Sequence, residues 1–458
     1  MDTNATALPK DTTNNSQNGL QVCMPRQRDR DISTRGRRQA FREDTPTVFE
    51  GIDDALETEP RPSTSRGRWT PPPWTPDELV FCRENHISHR PLTSIVDGVL
   101  RHHGSGAGDL IPRLYRIIKG DPITNASWES AGLGDFYSAV VGFRSPRGCG
   151  STIVRALLEY FWDTTNTFHF AWGKMTMTPL DFSMISGLRF TERPVLQIPD
   201  LTWGASEAAE LLGPVVQHIR TRPVSRGGHR SGRSELASVL AHGFDIAETT
   251  PEQRVRIFIL ILISGTLSHD RSSRALICYL PSLVRIGEIG SYSWASIGYA
   301  DLLSSMRHGC RQLNDQSPVV VYGLWRVVEL WFYEYFPGLA PRRRRGAVHD
   351  FPVGASWRDR GESRVESVSR LRGLLRRGTC TVGVAVEIQY RPWDGMTNLP
   401  EALELSACRT VFFGTTRFVW YLGERVVRQH NANHFVVSLP PPESMLDSCL
   451  LGELLDRG

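Results

Sequence analysis

Lysine is almost missing from this 458-residue chain: Lys10, Lys119 and Lys174 are the only three, so nearly all of its 53 basic side chains are arginine. A pyridoxal-phosphate enzyme needs a lysine for its Schiff base. Only Lys119 and Lys174 fall outside the polar N-terminal region, and neither follows a strand and phosphate cup. The 8 cysteines (Cys23, Cys82, Cys149, Cys278, Cys310, Cys380, Cys408, Cys449) form no close pair. That spacing excludes a zinc site and a compact disulfide framework, and it suits reduced thiols in the cytosol or nucleus. Also missing are H-E-x-x-H, G-x-S-x-G and a Walker loop. The glycines from Gly104 to Gly108 lack the Lys-Ser/Thr of a phosphate cradle and read as a connector. The longest apolar run, Val255–Leu267, contains Arg256 and falls short of the ~20 residues that cross a membrane, so a buried helix is expected there. The first residues are polar and carry no apolar core of a signal peptide.

What is present is 40% hydrophobic content, enough for a sizeable core, and a net charge of +4 with pI near 8.6. Arginine binds carboxylate or phosphate through two donors, which suits interior ion pairs as well as nucleic acid. Residues 1–73 are rich in Arg, Ser, Thr and Pro and poor in apolar periodicity, so they are expected to be a disordered tail. Within it, Arg35, Arg37 and Arg38 form a candidate nuclear-import or nucleic-acid contact, weighed equally against a solvated tail. The acids Asp53, Asp54, Glu57 and Glu59 in the same region read as solvated charge. Arg342, Arg343, Arg344 and Arg345 are a second candidate contact, beside which a solvated loop is the simpler reading. The loop Thr221–Ser234 is a third basic stretch.

Residues 74–442 are expected to fold as a mainly α, compact multi-helix domain with a few short β-strands toward the C-terminus, followed by a tail over 443–458. The chain centres on TFHFAWGKMTMTPLDFSMISGLRFTERPV, residues 167–195. A strand-like edge turns at Gly173. A helix then starts at the N-cap Thr178 with Pro179 and Asp181 in its first turn, and stops near Gly187. Core helices are also expected over Ser151–Trp162, Ala205–Ile219, Pro251–Leu267, Ser291–Arg311 and Pro318–Phe336, the last apolar nearly all round. The Trp357–Arg377 stretch, where arginines alternate with glutamates, reads as an exposed ion-paired helix. TVGVAVEIQYRPWDGM and RTVFFGTTRFVWYLG alternate as short strands do. His169, set among aromatics, is expected to be a hydrogen-bonded core histidine, with Asp181 a helix-start charge and Glu159 the partner of an arginine. An enzyme reading requires His169, Asp181 and Glu159 to meet in one open pocket.

The segments GDPITNASWESAGLGDFY, LLEYFWDTTNTFHFAWGKMTMTPLDFSMISGLRFTERPV, YLPSLVRIGEIGSYSWASIGYADL, GLWRVVELWFYEYFP, IQYRPWD and ERVVRQHN together resemble the plant mobile domain family, also labelled aminotransferase-like. They cover roughly Leu110 to Pro441. Lys174 stands where the family usually has an acidic residue. The resemblance implies a domain found in transposable elements and in host proteins domesticated from them. It implies nuclear action in transposon silencing, genome integrity and meristem development, with nuclear protein partners that include a phosphatase-like one. No catalytic, cofactor or metal residue is established for the domain, and no cofactor or membrane partner is expected. The signature positions it marks are structural: Phe168, His169, Gly173, Met175, Thr176, Asp181, Gly187, Leu188, Trp294, Trp331, Arg425 and Arg428. The leading expectation is a non-enzymatic nuclear protein acting through protein contacts. The alternatives are a transposon-encoded protein that contacts nucleic acid weakly through its arginine-rich loops, and an uncharacterised enzyme.

Overall fold

The computed structural model describes residues 101–102, 110–141, 149–163, 165–170, 173–196, 205–218, 249–267, 277–312, 319–341, 343, 350–357, 368–377, 388–396, 399–415 and 418–423. The ERVVRQHN segment and the N- and C-terminal tails lie outside these residues, as do the basic loop Thr221–Ser234 and the Gly104–Gly108 connector.

Helices dominate. In chain order they are α1 (Leu110–Gly120), α2 (Pro122–Ser130), α3 (Gly134–Val141), α4 (Cys149–Leu158), α5 (Pro179–Ser186), α6 (Ala205–Leu212), α7 (Pro251–Thr266), α8 (Trp294–Gln312), α9 (Arg326–Tyr335), α10 (Val353–Ser356), α11 (Val368–Arg377) and α12 (Pro400–Ala407). Among the described residues seven short strands accompany them: β1 (Arg101–His102), β2 (Phe161–Trp162), β3 (Thr167–Phe170), β4 (Gly173–Met175), β5 (Val320–Val321), β6 (Arg409–Phe413) and β7 (Phe418–Leu422). β2, β3 and β4 form one antiparallel sheet, β6 and β7 a hairpin, and β1 pairs with β5 in parallel.

The helix starts follow local chemistry. Thr178 and Thr250 each build a capping box, with Asp181 and Gln253 returning the bond, and proline opens both α5 and α7. In α7, residues 255–263 are all buried, Arg256 among them. Its guanidinium reaches out of the apolar helix to the carbonyls of Leu283 (2.9 Å), the last residue of a 3₁₀ segment, and of Val284 (2.9 Å) just past it, and to Glu252. Among the described residues no helix is long and apolar enough to cross a membrane.

α5 sits at the middle, packed against α3, α8, α9, α10 and α12. A single buried apolar cluster runs from Ile111 in α1 to Tyr421 in β7. The aromatic content concentrates beside α5. Phe168 stacks on Trp331 at 5.1 Å and 19°, and Trp331 lies 5.1 Å from Tyr335.

Five local expectations differ from the observed structure. The apolar stretch from Pro318 begins as strand β5, and helix starts only at Arg326, because the β-branched valines pair in a sheet and Gly323 turns at φ 64°. Phe161 and Trp162 form β2 instead of continuing the α4 helix, and Tyr160 lies in the turn between them. Residues 388–396 form turns rather than a strand, and the Ala205 helix gives way at Gly213 (φ 75°) to a 3₁₀ turn. Finally, α11 is not an exposed ion-paired helix: Leu371, Arg372 and Leu375 are buried and it packs on α4.

Candidate functional site

The signature segment is built from β3, β4 and α5, and its polar groups point inward. His169 is buried, its Nε2 lying 2.9 Å from Thr167 Oγ1 and 3.4 Å from Thr165 Oγ1. The imidazole stacks on Trp162 at 4.8 Å. Across the β-ladder His169 is the partner of Lys174, Phe168 of Met175, and Phe170 of Gly173. Thr176 donates to Asn166 O at 2.8 Å, and Asn166, held at φ 51°, donates to Trp420 O at 2.8 Å. The central sheet is thereby tied to the C-terminal hairpin.

Asp181 is 1% exposed and fully engaged. One carboxylate oxygen accepts from the Thr178 backbone N–H at 2.7 Å, the other from Tyr335 Oη at 2.8 Å and Trp393 Nε1 at 2.7 Å. Burial pushes this carboxyl above the usual aspartate range, against the opposing pull of those hydrogen bonds. Burial, and next the nearby Asp181 charge, push the Tyr299 and Tyr335 phenols well above theirs. So the first-turn acid of α5 also fastens α9 and the 388–396 turns to the centre of the fold.

Helix α5 ends on Gly187 at φ 73°, where a Cβ would meet the Asp135 backbone carbon at 2.7 Å. Only glycine allows both the left-handed cap and this close approach of α3. Leu188 and Trp331 are buried, and so is Trp294, which donates to Ile289 O at 2.8 Å.

Three further acids are buried with arginines. Glu159 takes a two-pronged bond from Arg372 (2.6 Å to each oxygen), with Arg155 at 3.4 Å. Glu329 pairs with Arg326 at 2.7 Å and accepts from Tyr333 at 2.7 Å. Glu334 accepts from Trp357 Nε1 at 2.7 Å and pairs with Arg343, whose guanidinium lies 4.2 Å over the Trp357 ring. Arg343 is thus a half-buried bracket inside the expected basic contact run. Arg342, Arg344, Arg345, Arg35, Arg37, Arg38, Arg425 and Arg428 lie outside the described residues.

His169, Asp181 and Glu159 therefore reach no open pocket together; each is enclosed and bonded to its own neighbours. A surface depression of about 510 Å³ lies elsewhere, between α2, α7 and residues 284–287, and none of the three lines it. Sequence reading left Trp393, Tyr335 and Arg372 unassigned as partners of Asp181 and Glu159, since they stand 154 to 213 positions away and carry no local signal. Neither Cys310 nor Cys408 is in a disulfide, and the buried Cys310 thiol donates to the Phe161 carbonyl at 2.9 Å.

Comparison with known proteins gives the same grouping as the quoted segments. The chain is 25% identical to Protein MAIN-LIKE 2 of Arabidopsis thaliana over 77% of its own length and 51% of the relative. It is 23% identical to Protein MAINTENANCE OF MERISTEMS of the same plant, over 80% of this chain and 72% of that one. A third match, 29% identical, is to an Arabidopsis serine/threonine-protein phosphatase 7 long form homolog; it covers 45% of this chain and 14% of that protein. The chain thus spans about half the length of MAIN-LIKE 2. No solved structure matches it. A family model, the plant mobile domain, matches residues 149–438, more than half the chain, and this protein belongs to that family.

Proposed function

We propose that this protein acts by protein contacts rather than by catalysis, in the nucleus, in transposon silencing, genome stability or meristem development. The observation that carries the reading is that the charged groups of the signature are spent on the interior. Asp181, Glu159, Glu329 and Glu334 each hold helices or turns together and offer nothing to a substrate. The outside of the domain is then what a partner reads. The name of one relative, MAINTENANCE OF MERISTEMS, favours the developmental setting, and the partial match to a phosphatase homolog favours a phosphatase-like partner.

The test is to express the full chain, fused to a fluorescent protein, in plant cells and to measure transposon transcripts with and without it. Nuclear accumulation, and a rise in those transcripts on its loss, are expected. Exclusion from the nucleus would overturn the setting. Turnover of a small molecule that disappears in a folded His169→Ala variant would overturn the non-enzymatic reading.

A further inference from the structure

Helix α1 has one unpartnered face. Ile111, Leu114 and Ile118 are buried, while Arg113, Arg116, Ile117 and Lys119 point to solvent. Ile117 is 39% exposed, and Ile123, just past the end of α1, is 68% exposed. The acids nearby are engaged: Glu129 with Lys119 at 2.5 Å, and Asp121 with Arg254 at 3.4 Å. Among the described residues neither Arg113 nor Arg116 has an acidic partner, Arg116 reaching only the Pro112 carbonyl of its own helix. A helix face that sets two uncommitted arginines beside an exposed isoleucine calls for an occupant with acids around an apolar spine.

The chain itself holds such a segment. Residues 43–60 contain Glu43, Asp44, Glu50, Asp53, Asp54, Glu57 and Glu59 and not one lysine or arginine. The same residues space Phe49, Ile52 and Leu56 at helical intervals. We infer that the acidic segment 43–60 docks on the Arg113–Arg116–Ile117 face of α1, its carboxylates on the two guanidinium groups and its apolar spine over Ile117. The acids that read from sequence as solvated charge thus acquire a seat within the same molecule. The other acid-rich stretch, residues 443–456, has only Glu443, Asp447, Glu453 and Asp456, a poorer match to this charge.

The scarcity of lysine makes the test sharp. Carbodiimide joins a carboxylate to an amine with no spacer, and the only lysine on α1 is Lys119. The full chain, coupled at low concentration and mapped by mass spectrometry, should give a link from Lys119 to Asp53, Asp54 or Glu57. The Lys119–Glu129 link serves as the internal standard of an intact fold. In Arg113→Glu/Arg116→Glu the 43–60 link should fall roughly tenfold relative to that standard, since like charges now face each other. Adding Asp53→Arg/Asp54→Arg should restore it, read at Glu57 and Glu59. The proposal is overturned if Lys119 couples to Glu129 alone, if the charge reversal leaves the link unchanged, or if the link runs to residues 443–456. It is equally overturned if a mixture of isotope-labelled and unlabelled chains shows the link only between molecules. A DNA duplex that shields Lys119 while no 43–60 link forms in its absence would assign the face to nucleic acid instead.

Discussion

Asp181 and Glu288 set the interior of this molecule against its surface. Both are carboxylates held by several donors. Asp181 accepts from a backbone N–H, a phenol and an indole, all neutral, behind a wall of aromatic rings. Glu288 is shared at the rim by Arg193 (2.7 Å) and Arg285 (2.9 Å), with the Arg193 guanidinium 4.1 Å over the Tyr292 ring. Their titrations move in opposite directions. Burial raises Asp181, whereas the hydrogen bonds from Arg285 and Arg193 lower Glu288. Counting hydrogen bonds would rank Asp181 as the better-stabilised anion. Loss of hydration outweighs those bonds inside, and it hardly acts outside.

The most severe way to break the interior side is to strand a charge. Glu159→Leu leaves Arg155 and Arg372 facing one another in a site from which water is excluded. Removing one member of such a buried pair costs roughly 3–5 kcal/mol. Urea unfolding of Glu159→Leu, Arg372→Met and the double variant forms a cycle in which the double should recover part of the loss. A Glu159→Leu midpoint indistinguishable from the parent would show the pair to be idle.

The next largest effect compares two glycines in the same left-handed conformation. Gly187 (φ 73°) would put a Cβ 2.7 Å from the Asp135 backbone, whereas Gly395 (φ 77°) is exposed with nothing within 4 Å. Alanine at Gly395 should cost about 1–2 kcal/mol from backbone strain alone. Gly187→Ala should cost clearly more, because α3 cannot withdraw from α5 without opening the core. Equal shifts in thermal midpoint would mean that the α3–α5 approach is soft.

These two glycines also mark how much the sequence could disclose. Gly187, Thr178, Pro179 and Asp181 form a local grammar of start and stop, and α5 was legible from them alone, as were the strands β6 and β7, though not their pairing, from two-residue alternation. The place of Asp181 as a first-turn charge was legible for the same reason. Its second role was not, because Tyr335 and Trp393 arrive from 154 and 212 positions away, and nothing in either local sequence announces a carboxylate partner. Arg372 misled for a related reason. A stretch in which Arg and Glu alternate looks solvated until a distant acid, Glu159, gives one arginine cause to turn inward. Arg343 shows the same trap: within a run of four arginines, it lies against Glu334 and Trp357. The valines at the start of the Pro318 stretch were read as helix because an all-apolar run has no period to separate helix from strand.

A smaller effect, read from its dependence on pH, tests the interior half of the opening contrast. Asp181 has its folded pKa raised above the ordinary value of 3.8. Its contribution is therefore fully present below pH 3.8 and is lost as pH rises through the folded pKa. Asp181→Asn does not titrate, but its amide must set an N–H against one of the three donors that the carboxylate accepts, costing roughly 1–3 kcal/mol. The gap between parent and variant should be widest in acid and should narrow as pH rises. Denaturant melts at several pH values would show this, and a gap that widens toward neutral pH would reverse the sign assigned to burial.

Glu288 supplies the smallest effect and the opposite sign. Its pKa is lowered by Arg285 and Arg193, so its contribution is present above the ordinary 4.5 and is lost as pH falls through the folded pKa. The side chain is 34% exposed, so both water and salt screen it, and Glu288→Gln should leave the melting midpoint near that of the parent at physiological ionic strength. A difference should emerge only at low salt and neutral pH, and it should vanish on acidification, the mirror image of Asp181→Asn. A salt-insensitive loss in Glu288→Gln would mean that Arg193, which also bonds Tyr292 Oη at 2.8 Å and Ser291 Oγ at 3.0 Å, behaves as part of the interior. The boundary between the two electrostatic regimes would then lie further out than the burial of the side chains indicates.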